Sequence, residues 1–188
     1  MKIDISEIIK RSIYLILIAI VLAYFEIQIE GSAGWAANLP TWRNDNPNIT
    51  WIFGGRPVTG YHVALNLLLI LFFHWPFILT KWDLIKESKI LASFAILAVI
   101  WDFLWFVINP NFGLANYNNS SIWWFSKWFL GFPVDYYFGL LLSLIFSLLP
   151  SIFRKRSFFQ ALTSGILYII ICLLGTGIFT IVFINLIS

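Results

Sequence analysis

The sequence predicts an all-α polytopic membrane protein, a bundle of five transmembrane helices with two structured, Trp-rich outer loops. Three observations predict it. The 188 residues are 60% hydrophobic and only 11% charged, with a mean hydropathy of +0.86, whereas soluble domains carry roughly 25% charged residues. The apolar residues gather into five runs, most of them near the ~20 residues that cross a hydrocarbon core. Eight of the ten Trp fall at the same end of those runs. A chain this poor in polar surface cannot cover a water-exposed globule, so lipid is its expected solvent.

The spans are expected at about 12–29, 61–80, 89–108, 134–153 and 158–187, in one integral membrane domain over 1–188. The last is overlong and is expected to tilt, fray or bend near Gly175 and Gly177. Lys10-Arg11, the apolar run after it and Ser32-Ala33-Gly34 also sketch a secretory signal peptide. Glu26, Gln28 and Glu30 make an odd cleavage region, so retention of the first span is expected.

Orientation follows from the basic residues. Nine of the twelve (Lys2, Lys10, Arg11, Lys81, Lys86, Lys89, Arg154, Lys155, Arg156) fall on one side, and only Arg43, Arg56 and Lys127 on the other. The positive-inside rule gives a cytoplasmic N-terminus and a C-terminus on the exported side of a bacterial-type cytoplasmic membrane. Short basic clusters between apolar spans suit lipid headgroups, and no nucleic acid partner is expected. The single Cys172 excludes an intrachain disulfide and says nothing of redox compartment.

The polar residues then acquire a depth. Glu26 and Glu30 lie one turn apart at the outer end of span one. His62 opens span two from outside, with Asn66 one turn deeper on the same face. Asp102 sits roughly 9 Å inside span three at ~1.5 Å per residue, sharing a face with Trp105 and Asn109. Asp135 opens span four, and the outer loops add Trp35, Trp42, Arg43, Arg56 and Lys127. A carboxylate in a membrane costs roughly 2.5–3.5 kcal/mol at the helix centre and normally faces the bundle with a partner. Glu26 and Glu30 repel each other unless a cation or a proton lies between them, with Arg43 the nearest candidate cation.

Plainer readings stand beside these. Glu26, Glu30 and His62 also suit a water interface, Asp135 suits a helix-start acid after Pro133, and His74 suits packing or a carbonyl bond. Residues 122–132 look like an interfacial stretch lying flat, with Lys127 snorkelling. Together with the Gly-rich turns they suggest an aromatic lid over a polar cup, or else Trp side chains sealing the bundle. Gly139-Ser143-Ser147 and Ser164-Cys172-Thr176-Thr180 read as helix-packing faces.

Chemical motifs are lacking. "GRPVTGYH" mimics a phosphate-binding loop, but Tyr61-His62 stands where Lys-Ser/Thr is needed. His62 and His74 are about 18 Å apart along one helix and cannot share a metal. Glu26, Glu30, Asp102 and His62 offer ligands to a hard cation, yet the expectation is of no metal and no cofactor. Asp102 and His62 are the acid–base candidates if there is catalysis.

"GWAANLPTW" and "WIFGGRPVTGY", with five spans and the Trp count, resemble the tryptophan-rich sensory/translocator proteins, membrane receptors for porphyrins and sterols. That family's Trp–Leu–Pro–Trp order falls here on Trp35, Leu39, Pro40 and Trp42. The Leu–Pro spacing differs, the paired prolines after the second Trp are missing, and the last two spans carry nothing of the signature. The likeness covers about a quarter of the chain and implies an amphipathic ligand.

The resulting expectation is a small integral membrane protein that binds an amphipathic or lipid-like ligand in an outward-facing polar cup. Glu26, Glu30, Trp35, Trp42, Arg43, His62, Asn66, Asp102, Trp105, Asn109 and Asp135 are its expected lining. The alternatives are a membrane enzyme acting on a lipid or isoprenoid there, a channel or proton-coupled carrier, and an accessory subunit. Membrane lipids are the expected partners, with a homo-oligomer or a larger membrane complex also open.

Overall fold

The computed structural model describes residues 3–50, 55–153 and 157–187. Trp51 and the Arg154-Lys155-Arg156 cluster lie outside the described residues. The chain is mostly helical. Its long helices are α1 (Ile5–Glu30), α3 (Gly60–His74) continued by α4 (Pro76–Leu79), α5 (Leu84–Ile108), α6 (Val134–Phe153) and α7 (Phe158–Ile187). They give five spans long and apolar enough to cross a membrane. A short α2 (Pro47–Thr50) and strands β1 (Arg43–Asn44), β2 (Val58–Thr59), β3 (Trp128–Phe129) and β4 (Phe132–Pro133) belong to the two long loops.

Two helices begin earlier than their apolar runs. Asp4 caps α1, its carboxylate accepting the Glu7 N–H at 2.9 Å, and Asp83 caps α5 through the Ile85 and Lys86 N–H groups. A side-chain oxygen that satisfies first-turn donors lets a helix extend into polar sequence. At the other end of α1, Gly31 takes φ +63° and returns its N–H to the Ile27 carbonyl, a left-handed stop that favours glycine.

A helix break falls in the second span. The helix α7 runs uninterrupted past Gly175 and Gly177. Span two is divided at Trp75, because Pro76 has no N–H to continue the ladder. His74 sits at that break, with Nδ1 2.8 Å from the Ile70 carbonyl and Nε2 3.0 Å from Glu87. Glu87 also accepts the Trp82 indole N–H at 3.1 Å.

At the centre is α5, buried almost all round by α1, α6 and α7. The α6 face approaches closely: a Cβ on Gly139 would collide with Val99, and Ser143 donates to the Ala92 carbonyl at 2.9 Å. Gly165 lies against Ser147, and Cys172, Thr176 and Thr180 are buried on α7. Small residues at four-residue spacing thus bring helices together, as expected for bundles in lipid. Span two is the exception, resting on α5 through Leu65 and Leu69 while most of its surface stays exposed.

The two long loops share one end of the bundle. In the first, β1 and β2 pair antiparallel, Arg43 opposite Thr59. In the second, β3 and β4 form a hairpin whose central Leu130 and Gly131 take φ +46° and +82°, the turn geometry that matches strand twist. Residues 122–132, expected to lie flat, are buried in part. Ile122, Trp124 and Phe125 are buried, with Trp124 against Trp105, Phe106 and Phe112 at ring-centroid distances of 5.9, 5.7 and 5.8 Å. Seating these rings among the ends of the helices removes more apolar area from water than a flat arrangement. Burial among the rings also pushes the Tyr117 hydroxyl well above the usual phenol range.

Candidate functional site

Beneath the loops lies a cleft of about 420 Å³. Its floor is α5, with Ala98, Trp101, Asp102 and Trp105; its walls are the end of α1, with Glu26 and Glu30, and α3, with His62, Val63, Asn66, Leu67 and Ile70. Trp35, Val58 and Trp124 close it toward the loops. Glu26 and Glu30 follow from one another by the four-residue helical spacing, as do His62 and Asn66, and Asp102 and Trp105 by the three-residue spacing. Seven of the residues expected from sequence therefore meet here: Glu26, Glu30, Trp35, His62, Asn66, Asp102 and Trp105.

Both glutamates are buried, each 8% exposed, so neither marks a water interface. The Glu30 carboxylate accepts the Ala36 N–H at 2.5 Å, and its Oε1 lies 3.7 Å from His62 Nε2. Glu26 has a long contact, 3.5 Å, from the Tyr61 hydroxyl. The Trp101 indole lies beside Glu26 but outside hydrogen-bonding geometry. Metal-ligating atoms of Glu26, Glu30 and His62 all lie within 4.8 Å of one another. Asp102 is held from behind by the buried Tyr136, whose hydroxyl donates to Oδ2.

His62 is the most constrained group. Its Nδ1 lies 2.6 Å from Thr59 Oγ1, which also accepts the His62 backbone N–H at 3.2 Å as the cap of α3. Trp35 stacks on the imidazole with centroids 4.2 Å apart and is fixed by its own N–H to the Pro57 carbonyl at 2.8 Å. The Arg56 guanidinium lies over the Trp35 ring at 4.3 Å and over Phe125 at 4.9 Å, and pairs with Asp135. To aim Trp35 this way, Trp35 and Ala36 adopt φ +45° and +50°, a left-handed backbone that costs non-glycine residues about 1–2 kcal/mol each. Contacts at both sides of Ala36 hold the turn: its N–H goes to Glu30, and its carbonyl accepts from Arg43 Nη2.

The other expected residues lie outside the cleft. Arg43 is spent on the Ala36 carbonyl and does not pair with the glutamates. Trp42 is exposed and packs beside Gly60 at the start of α3. Asn109 ends α5 and donates to the Gly31 carbonyl at 2.9 Å, tying two helix ends together. Asp135, in the first turn of α6, takes Arg56. Sequence reasoning did not assign Tyr61, Tyr136, Trp101 or Arg56 their contacts. Nor did it find the aliphatic lining, although Val63, Leu67 and Ile70 continue the face of His62 and Asn66 at helical spacing.

The likeness to the tryptophan-rich sensory/translocator proteins gains no support beyond the phrases that suggested it. Compared with models of protein families, with curated proteins and with solved structures, the chain shows no match.

Proposed function

We propose that this protein binds an amphipathic, lipid-like molecule in the cleft between spans one, two and three. One observation carries the reading: the cleft changes character along its length. Toward the loops it presents Glu26, Glu30, His62 and Asp102; along α3 and α5 it presents Val63, Leu67, Ile70 and Ala98. A polar head seated among the first group leaves an apolar tail along the second, parallel to the spans. The volume is within the range of small-molecule sites, roughly 300–1,000 Å³. Val63, Asn66, Leu67 and Ile70 are also exposed on the outer surface of the bundle, so the cleft opens sideways toward lipid. The distribution of Lys and Arg favours the cleft on the exported side of a bacterial-type cytoplasmic membrane, with the N-terminus cytoplasmic.

Native mass spectrometry of gently solubilised protein, with lipid extraction, tests the proposal. Wild type is expected to retain one amphiphile per chain, lost in Ala98→Phe, which fills the apolar floor and leaves every ionisable group in place. A bare wild-type chain, or a filled variant that retains the same molecule equally, overturns the reading.

A further inference from the structure

We infer that Glu26, Glu30 and His62 form a binding site for one divalent first-row transition cation at the polar end of the cleft. The inference stands independently of the amphiphile.

Charge is the first argument. Glu26 and Glu30 are buried side by side, and among the described residues no ion pair joins either to Lys or Arg. Removing a carboxylate from water costs several kcal/mol unless an opposite charge compensates it or a proton neutralises it. Two carboxylates and a neutral imidazole carry two negative charges, which a divalent cation cancels. One protonated amine leaves a charge over.

Geometry is the second argument. Tetrahedral ligand atoms held at ~2.0–2.2 Å from a metal lie about 3.3–3.6 Å apart. The three groups, already within 4.8 Å of one another, need to close by at most about 1.5 Å, a movement within reach of side-chain rotation. The ligands come from two helices and include an imidazole, so the cluster is more than a concentration of acid. A metal-bound histidine presents one nitrogen to the ion and donates its other N–H to a supporting group. An Nδ1–H given to Thr59 Oγ1 leaves the Nε2 lone pair facing Glu30. Trp35, stacked on the ring, prevents it from turning away.

A third observation points to a further occupant of the same space. Trp105 is 3% exposed and lines the cleft, and its indole N–H has no hydrogen-bond partner. Buried donors are nearly always paired. Three protein ligands leave at least one coordination position open, as at catalytic rather than structural zinc sites. A water or an anionic head group fills that position. Mixed imidazole and carboxylate ligation favours zinc or manganese over calcium or magnesium.

The test uses full-length protein purified through a tag without histidine, stripped with chelator and dialysed against zinc or manganese. Elemental analysis is expected to find one ion per chain in wild type. Glu26→Gln, Glu30→Gln and His62→Gln should each weaken binding at least 100-fold, while Asp102→Asn should weaken it far less. X-ray absorption on zinc-loaded wild type, which needs no variant to fold, should show nitrogen and oxygen ligands with one imidazole and no sulfur. Wild type that takes up no stoichiometric metal, or variants that bind it equally, overturns the inference. If metal fails to bind while an amphiphile is retained and is lost in Ala98→Phe, this inference falls and the cleft reading stands. Metal bound without any amphiphile gives the reverse.

Discussion

The His62 imidazole lies nearly parallel to the Trp35 indole, 25° between their planes and 4.2 Å between their centroids. One ring comes from the start of α3 and the other from a loop in left-handed backbone. The contact therefore couples the shape of the loop to the position of a candidate ligand.

That coupling separates two substitutions at Trp35. Trp35→Ala removes the stack, the bond to Pro57 and the surface beneath Arg56, and is expected to destabilise by about 3 kcal/mol, the low end for truncating a large aromatic. Trp35→Phe keeps a ring over His62 and loses chiefly the bond to Pro57, about 1 kcal/mol. Equilibrium unfolding in mixed micelles measures both. Equal losses would show that the hydrogen bond, not the stack, holds the loop.

Gly34 is expected to tolerate substitution less well than Gly113, although both have positive φ, +62° and +63°. A Cβ at Gly34 would run into the Trp124 ring, whereas at Gly113 it meets nothing within 4 Å. Gly113→Ala should cost only the backbone strain of φ +63° and ψ 171°, a region nearly confined to glycine, about 1–3 kcal/mol. Gly34→Ala adds overpacking of about 1–3 kcal/mol. Thermal melts of the two variants in one detergent compare them, and near-identical melts would contradict the packing of Trp124 against the first loop.

Asp102 and Tyr136 should behave as one unit. Tyr136→Phe deprives a half-buried carboxylate of its donor and is expected to cost about 1.5–3 kcal/mol. Asp102→Asn retains an acceptor for the hydroxyl and should cost less. In a double-mutant cycle with Asp102→Leu, the second change should add little once the first is made. Additive losses would mean that the two side chains act separately.

At Arg56 the ring contacts should outweigh the ion pair. Asp135 is 42% exposed and Arg56 12%, and a pair this wet contributes under about 1 kcal/mol. A guanidinium over two rings contributes on the order of 0.5–2 kcal/mol. Asp135→Asn is accordingly expected to be mild, and Arg56→Lys, which keeps the charge but not the planar group, to be the more damaging. The opposite order in unfolding measurements would restore the ion pair as the main contact.

Much of the site was legible from depth and spacing. Glu26 with Glu30, His62 with Asn66, and Asp102 with Trp105 fall on common faces because helical periodicity is fixed. Their convergence in one cleft required only that the three helix ends meet. What depth does not give is azimuth. A helix that faces lipid on one side and protein on the other is apolar on both, so no polar stripe marks its outward face. Asp135 lies at the same end of the bundle as Asp102 yet turns to Arg56, and Asn109 shares a face with Asp102 yet ends its helix at Gly31. The partners Tyr61 and Tyr136 were hidden because a Tyr inside an apolar run reads as bulk until its hydroxyl is located. The earlier starts of α1 and α5 were written in Asp4, Glu7 and Asp83, which apolar counting alone passes over.

If the proposed amphiphile enters past span two, which stands apart from its neighbours and is divided at Pro76, the meaning of its concentration changes. A solute that enters from the side is counted by its mole fraction in the bilayer, not by its molarity in water. Partitioning acts before recognition, so an apparent affinity measured in buffer should drift as vesicle lipid is added, while the mole fraction at half-saturation stays constant. Chain length and headgroup crowding would then select solutes before any side chain in the cleft is reached.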